Sequence, residues 1–153
     1  ALKKKQFSKY DFSRLHPGGN LGKQLKTVGD VMVTGKKVPF INENKNMTEA
    51  IRIISKKKLG VVIVYNKNKS TTGIITDGNV RKLRQKNIDF QKTIVKKVMT
   101  KNPIAINVDT LAIKALRIMN EKKITSLCVY KNTKKDKTTG LIHIHHILDA
   151  NIE

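Results

Sequence analysis

The stretch from Ala50 to Tyr65 reads AIRIISKKKLGVVIVY, and the stretch from Ala115 to Tyr130 reads ALRIMNEKKITSLCVY, in register and without a gap. Most positions that differ exchange one apolar residue for another. The flanks repeat as well, because Val31-Met32 before the first stretch matches Val98-Met99 before the second. A duplication of this length predicts two small units that bury a face against each other, with a cleft at their seam.

Each copy predicts a helix followed by a buried strand. Apolar residues recur at i, i+3, i+4 and i+7, which places them on one face of a helix. They are Met47, Ala50, Ile51 and Ile54 in the first copy and Ala112, Ala115, Leu116 and Met119 in the second. Asn46 or Thr48 is expected to cap the first helix. The runs 61–65 and 126–130 predict buried strands, each followed by a turn and a hairpin partner.

A second helix closes each unit, predicted over 79–85 in the first copy and opening at Ile147-Leu148 in the second. Each unit is therefore β-α-β-β-α, and we assign the chain to the mixed α/β (α+β) class. The segment 1–26 has a different composition and reads as a tail and linker, with Pro17 and Gly18 in a loop.

Composition narrows the classes of function. The 153 residues carry a formal net charge of +21, which suggests nucleic acid as a partner. The lysines are scattered, however, and Trp is absent, so no platform for base stacking is indicated. We expect no specific nucleic-acid binding.

No apolar run is long enough to cross a bilayer, and the single Cys128 cannot form an internal disulfide. These features predict a soluble, cytoplasmic protein that does not bind membranes.

Two such units in tandem resemble a CBS-domain pair, also called a Bateman module. The resemblance rests on Val31–Thr34, Val98–Pro103, Gly73–Gly78 and Gly140–His143. It implies a pseudo-twofold pair, with CBS domain 1 at 27–90 and CBS domain 2 at 91–153.

The segments 7–12 and 15–23, which include His16-Pro17-Gly18-Gly19, resemble the end of the sugar-isomerase (SIS) domain of D-arabinose 5-phosphate isomerases. That resemblance implies a parent enzyme that interconverts ribulose 5-phosphate and arabinose 5-phosphate for the Kdo of lipopolysaccharide. It also assigns His16 to the parent's active site, and histidine suits proton transfer near neutral pH. Without the resemblance, His16 reads as a loop histidine. Because the family's other catalytic groups lie in the SIS domain, we expect this chain alone to have no isomerase activity.

The resemblance further implies a ligand at the seam. CBS pairs usually hold adenosine ligands with a G-x-x-T-x-x-D pattern, but here Thr76 is followed by Asn79, and His143 by His146. A carboxylate accepts from two vicinal hydroxyls, whereas an amide accepts through one oxygen only, which argues against ordinary ATP or AMP binding. The resemblance implies a pathway product such as CMP-Kdo, or a phosphosugar, as the effector, with an adenine nucleotide as the alternative. Because the two halves of the seam differ in chemistry, we expect one anionic ligand. The candidate contacts are Thr76, Asp77, Asn79, Thr100, Lys101, Thr125, His143 and His146, with Lys36, Lys37 and Lys123 as further cations that could meet an anion.

His143, His145 and His146 raise the possibility of a zinc site. Along an extended segment, however, neighbouring side chains point to opposite faces, and the spacing matches no known zinc pattern. We therefore predict no metal and no cofactor. The resemblance implies a homodimer, assembled as a tetramer in the parent enzyme, and a small-molecule effector. Two alternatives stay open: a nucleotide-sensing CBS module of another parent protein, and a basic polyanion-binding protein.

Overall fold

A computed structural model describes residues 25–151, and within them the two repeats form two sheets with helices packed on them. The strands are β1 (Phe40–Asn42), β2 (Val61–Tyr65), β3 (Thr71–Thr76), β4 (Thr100–Lys101), β5 (Ala105–Asn107), β6 (Ser126–Tyr130) and β7 (Thr138–His143). The helices are α1 (Val28–Val31), α2 (Met47–Lys57), α3 (Asp77–Gln85), α4 (Val95–Val98), α5 (Ala112–Lys122) and α6 (Ile144–Asp149). A 3₁₀ turn spans Gly35–Lys37.

The two sheets share a three-strand topology, and the first sheet also has β4 paired antiparallel to β3. In the first, β1 runs parallel to β2, with α2 as the crossover, and β3 pairs antiparallel to β2. In the second, β5, β6 and β7 repeat this arrangement, with α5 as the crossover. Even the register shift recurs, next to Tyr65 in the first repeat and Tyr130 in the second. The predicted β-α-β-β-α unit is confirmed in both copies.

The predicted helix faces form the core. Met47, Ala50 and Ile54 are buried on α2, while Ile51 packs partly buried against them. All four predicted positions of α5 are buried. Asn46 caps α2, because its Oδ1 accepts a hydrogen bond from the backbone N of Glu49 at 3.0 Å.

Two helices begin earlier than the sequence predicts. The first of them, α3, starts at Asp77 and not at Asn79, and the second, α6, starts at Ile144 and not at Ile147. The reason is local, since Thr76 and His143 cap these helices with their side chains. The prediction located each helix from the spacing of its apolar residues, and that spacing does not include the polar residues of the cap and the first turn.

The segments that lead into the repeats are exchanged between them. The backbone N of Val28 donates to Thr110 O at 2.7 Å, so α1 lies on the second repeat. In the same way, Met47 N donates to Thr93 O at 2.9 Å and Val95 N to Lys45 O at 2.8 Å, so α4 lies on the first. Each repeat therefore completes its core with the other's leading helix.

Close backbone approaches at two glycines hold these exchanged segments. A Cβ on Gly140 would lie 2.5 Å from Met32 Sδ and 2.9 Å from Val33 O. A Cβ on the matching Gly73 would lie 2.6 Å from Met99 Sδ and 2.7 Å from the carbonyl oxygen of Thr100. The glycine of each Thr-Thr-Gly segment is thus the position at which a leading segment docks. Across residues 25–151, every helix is too short or too polar to cross a membrane.

Candidate functional site

The seam between the repeats has an apolar floor and a cavity above it. Val61 and Ile63 of β2 pack with Cys128 of β6 and Leu141 of β7 in one buried cluster. The cavity has a volume of about 310 Å³. Its lining residues come from the first repeat, the segment between the repeats and the second repeat: Gly60, Val61, Ile74 and Thr76; Thr100, Asn102, Pro103 and Ile104; and Lys123, Ile124, Thr125, Ser126, Cys128 and Leu141.

Three of the predicted effector contacts meet in this cavity. Thr76, Thr100 and Thr125 line it, and so does Lys123, which lies just beyond the end of α5 with a left-handed φ of 57°. Hydroxyl and amide groups both donate and accept hydrogen bonds, while an ammonium group only donates. The cavity therefore suits a ligand with hydroxyls and a negative charge. Among the residues that the structure describes, the lining side chains include no carboxylate or imidazole.

Asn79 acts behind the cavity. Its Oδ1 accepts from the backbone N of Thr76 at 2.9 Å and from Thr100 Oγ1 at 3.4 Å. In return, Thr76 Oγ1 accepts from Asn79 N at 3.2 Å. Asn79 is therefore a positioning residue for two lining threonines. Its amide oxygen is already used, which leaves it poorly placed to receive ligand hydroxyls.

Asp77 and Lys101 are not among the residues that line the seam cavity. Asp77 borders a separate groove of about 420 Å³ between α2 and α3, together with Arg81 and Arg84. Its carboxylate lies against Gly60, where an added Cβ would stand 3.1 Å from Asp77 Oδ2. Lys101 is exposed on β4.

His143 and His146 serve as a helix cap. His143 is 9% exposed and precedes α6, and its Nδ1 accepts from His145 N at 3.1 Å. His146 Nδ1 accepts from His143 N at 3.2 Å. The expectation of an extended segment was wrong here, because His145 and His146 lie in the first turn of α6. Within residues 25–151, no group of three His, Cys, Asp or Glu side chains could hold a metal ion.

The environment shifts the titration of these two histidines. Burial lowers the pKa of His143, and the charges of His145 and His146 lower it further. Burial also lowers the pKa of His146; Asp149 opposes this shift, while His145 and Lys37 add to it. Lys37, predicted to lie near the seam, is thus close enough to His146 to influence it. Both imidazoles are held toward the neutral form.

Cys128 forms part of the floor as an unreactive thiol. Burial raises its pKa to about 12, against a smaller opposing effect from a hydrogen bond with Thr138. A thiol with so high a pKa is neutral at physiological pH and is a poor nucleophile.

Sequence reasoning missed several lining residues. Asn102, Pro103 and Ile104 come from the connecting segment, Gly60 directly precedes the first predicted strand, and Ser126 is the first residue of the second. The Asn-Pro pair that follows Thr100-Lys101 was the available signal, since such pairs mark turns. Nothing local shows that this turn faces the seam. His16, the predicted catalytic residue of the parent enzyme, lies outside the described residues.

Comparison with known proteins agrees with this architecture. A family model described as a CBS domain matches residues 28–86 and 95–153. The arabinose 5-phosphate isomerase KdsD of Escherichia coli (strain K12) is 32% identical over 152 residues, covering 99% of this chain and 45% of that protein. The chain therefore spans less than half the length of this relative.

Solved structures share the fold at lower identity. CBSX2 in complex with AMP superposes with a TM-score of 0.68 at 22% identity, covering 82% of this chain and 96% of that one. A CBS domain pair in complex with 5′-methylthioadenosine and S-adenosyl-L-methionine has a TM-score of 0.72 at 19% identity, with coverages of 82% and 94%.

Proposed function

We propose, since this chain belongs to the CBS-domain family, that its seam cavity is a regulatory site that binds one anionic nucleotide or sugar-nucleotide effector. The observation that carries the proposal is the composition of the cavity wall. Hydroxyl groups of Thr76 and Thr125, the connecting residue Asn102 and the ammonium group of Lys123 surround an apolar floor. A ligand here touches both repeats and the segment between them, so its affinity depends on how the two repeats are placed relative to each other.

The chemistry of the site favours one ligand over a matched pair. Both Thr76 and its counterpart His143 cap a helix, but Thr76 also lines the cavity, whereas His143 is buried and is not among the lining residues. Structural neighbours in complex with AMP, 5′-methylthioadenosine and S-adenosyl-L-methionine make an adenosine compound the broad candidate. Asn79, already engaged with Thr76 and Thr100, favours a ligand held mainly through its charge and through hydroxyl contacts. We therefore keep CMP-Kdo as the specific candidate, with an adenine nucleotide beside it.

We propose that this chain is the regulatory portion of an arabinose 5-phosphate isomerase. The support is 32% identity to KdsD over nearly the whole chain. Lys26 O accepts from Ala112 N at 2.8 Å, so the chain upstream of α1 is tied to the second repeat. An effector that binds one arrangement of the repeats more tightly would shift the position of that upstream chain. The free, buried Cys128 suits a reducing cytoplasm as the location.

Ligand titration tests the effector site. The chain is titrated with CMP-Kdo, AMP, ATP and arabinose 5-phosphate while thermal unfolding and heat of binding are recorded. A ligand at a hundredfold excess over its Kd stabilises the folded state by about 2.7 kcal/mol. Lys123→Gln should weaken binding, while Lys122→Gln, an exposed change one residue away at the end of α5, should leave it intact. Equal loss in both variants, or no response to any of these ligands, would contradict the proposal.

Two further measurements address the parent enzyme and self-association. The chain alone should not convert ribulose 5-phosphate, and turnover above background would overturn that expectation. Sedimentation equilibrium should show the homodimer that we propose, and a monomer at micromolar concentration would exclude it under those conditions.

The net charge of +21 supports a second candidate, polyanion binding. That function would show a steep loss of affinity with salt and no selectivity among the small ligands.

A further inference from the structure

The helix cap of the second repeat is made of histidine side chains. His143 Nδ1 accepts from His145 N at 3.1 Å, and His146 Nδ1 accepts from His143 N at 3.2 Å. At the matching place in the first repeat, Thr76 and Asn79 form a comparable reciprocal pair with a hydroxyl and an amide oxygen. The same structural element is therefore titratable in one repeat and not in the other.

Both bonds require an unprotonated Nδ1, because a protonated ring nitrogen is a donor and cannot accept. Adding a proton to either ring at this atom turns the acceptor into a second donor that faces a backbone N–H. The bond is lost, and the first turn of α6 keeps an unsatisfied N–H group. The new positive charge also lies at the amino end of a helix, where the helix dipole disfavours it.

The surroundings add to this cost. The His143 ring stacks on the His145 ring with centroids 4.9 Å apart, and its centroid lies 5.9 Å from that of His146. The charged and titratable groups that act on the pair are His145 and Asp149 of α6 and Lys37 of the 3₁₀ turn. Asp149 alone among these favours a proton on His146. His143 itself is 9% exposed, so its charge would be poorly hydrated.

We propose that His143 and His146 form a pH-sensitive cap, which holds α6 on the second repeat while both rings are neutral and releases its first turn when they are protonated. Ile147 transmits the effect, because this residue of α6 is fully buried in the core of the second repeat with Met119 and Leu127. The cap needs no effector, so it is independent of the proposed function.

The direction of the pH dependence follows from the lowered pKa values. Histidines in the unfolded chain bind protons near pH 6.5, whereas His143 and His146 in the folded chain do so at lower pH. The stabilising contribution is thus complete above about pH 6.5 and is lost as the pH falls from there through the folded-state values. Each histidine raises the unfolding equilibrium constant by up to about tenfold per pH unit in that window.

An exchange of caps tests the proposal. The double variant His143→Thr/His146→Asn places the cap residues of the first repeat in the second, and urea unfolding is measured at pH 7.5 and 5.5. Between these pH values, the unfolding constant of the unmodified chain should rise more than that of the variant, by up to about tenfold for each histidine. His145→Gln is the control, because the His145 side chain makes neither cap bond; it should keep most of the pH dependence and lose only the part due to the His145 charge. Equal pH dependence in the unmodified chain and the double variant overturns the proposal.

A second measurement needs no variant and stays decisive if the double variant does not fold. Nitrogen NMR of the imidazoles in the unmodified chain should show the proton on Nε2 of His143 and His146, with titration midpoints below about 6.5. The amide signal of His145 should move at the same pH as the His143 ring. A proton on Nδ1 of His143 at neutral pH, or a midpoint at or above about 6.5, overturns the proposal.

Discussion

Replacing Gly140 with alanine should weaken the packing of the segment around Met32 and Val33 against the second repeat. The new Cβ would stand 2.5 Å from Met32 Sδ and 2.9 Å from Val33 O, both well inside ordinary contact distance. The Met32 side chain can rotate away, but the Val33 carbonyl cannot. It accepts from Leu141 N at 3.1 Å, while Val33 N donates back to Leu141 O at 2.9 Å. The clash therefore falls on a backbone pair that is held from both sides.

The expected cost follows from this geometry. Overpacking against a fixed backbone costs about 1–3 kcal/mol, and the lower chain entropy of alanine in the unfolded state returns about 0.4–1 kcal/mol. We expect Gly140→Ala to lower the free energy of unfolding by about 1–2 kcal/mol. For a chain of this size, that corresponds to a fall in Tm of about 2–8 °C.

The assay is chemical and thermal unfolding, combined with hydrogen exchange at the amides of Val33 and Leu141. Exchange at both amides should accelerate, since their reciprocal bonds lie beside the clash. Gly78→Ala is the matched control, because its new Cβ would meet Thr76 Oγ1 at an ordinary 3.6 Å inside α3. That change should stabilise the protein by up to about 1 kcal/mol. Unchanged or increased stability of Gly140→Ala would refute the reasoning.

Removing the cap of α2 by Asn46→Ala should cost about 1 kcal/mol, because Glu49 N loses its acceptor. Thr48→Ala, at the other predicted cap position, should change urea unfolding much less, and equal losses would contradict the assignment. Cys128, whose pKa burial raises to about 12, should resist iodoacetamide at pH 8 in the folded chain and react after denaturation. Rapid labelling of the native protein would show that the thiol is accessible.

The repeated β-α-β-β-α unit was predictable because its signals are local. The faces of α2 and α5 follow from apolar spacing over a few turns, and the strands beginning at Val61 and Ser126 follow from short apolar runs. These patterns depend on backbone periodicity and on burial, both of which can be read within about a dozen residues. Comparing the two copies also identified the pairs Thr76/Asn79 and His143/His146 as the points of chemical difference.

The candidate site was only partly predictable. The spacing of Thr76 and Asn79 suggested two ligand contacts, but hydrogen bonding places Asn79 behind Thr76 and Thr100. His143 and His146 were predicted as effector contacts, and the structure engages their ring nitrogens in a cap. Residue type and spacing identify polar side chains without showing which of them the backbone will use. That choice depends on which N–H groups remain unpaired at a helix end.

Two copies of one small unit, each with its own buried helix face and strand, can be read from the residue order of this protein. The packing of α1 on the second repeat and of α4 on the first cannot, and neither can the place of the segment around Asn102 and Pro103 in the cavity wall. Local periodicity specifies which face of a helix or strand is apolar. It does not specify which other element covers that face, because any apolar surface could do so. The close approaches at Gly73 and Gly140 select the partner, and they exist only once the two repeats are packed together.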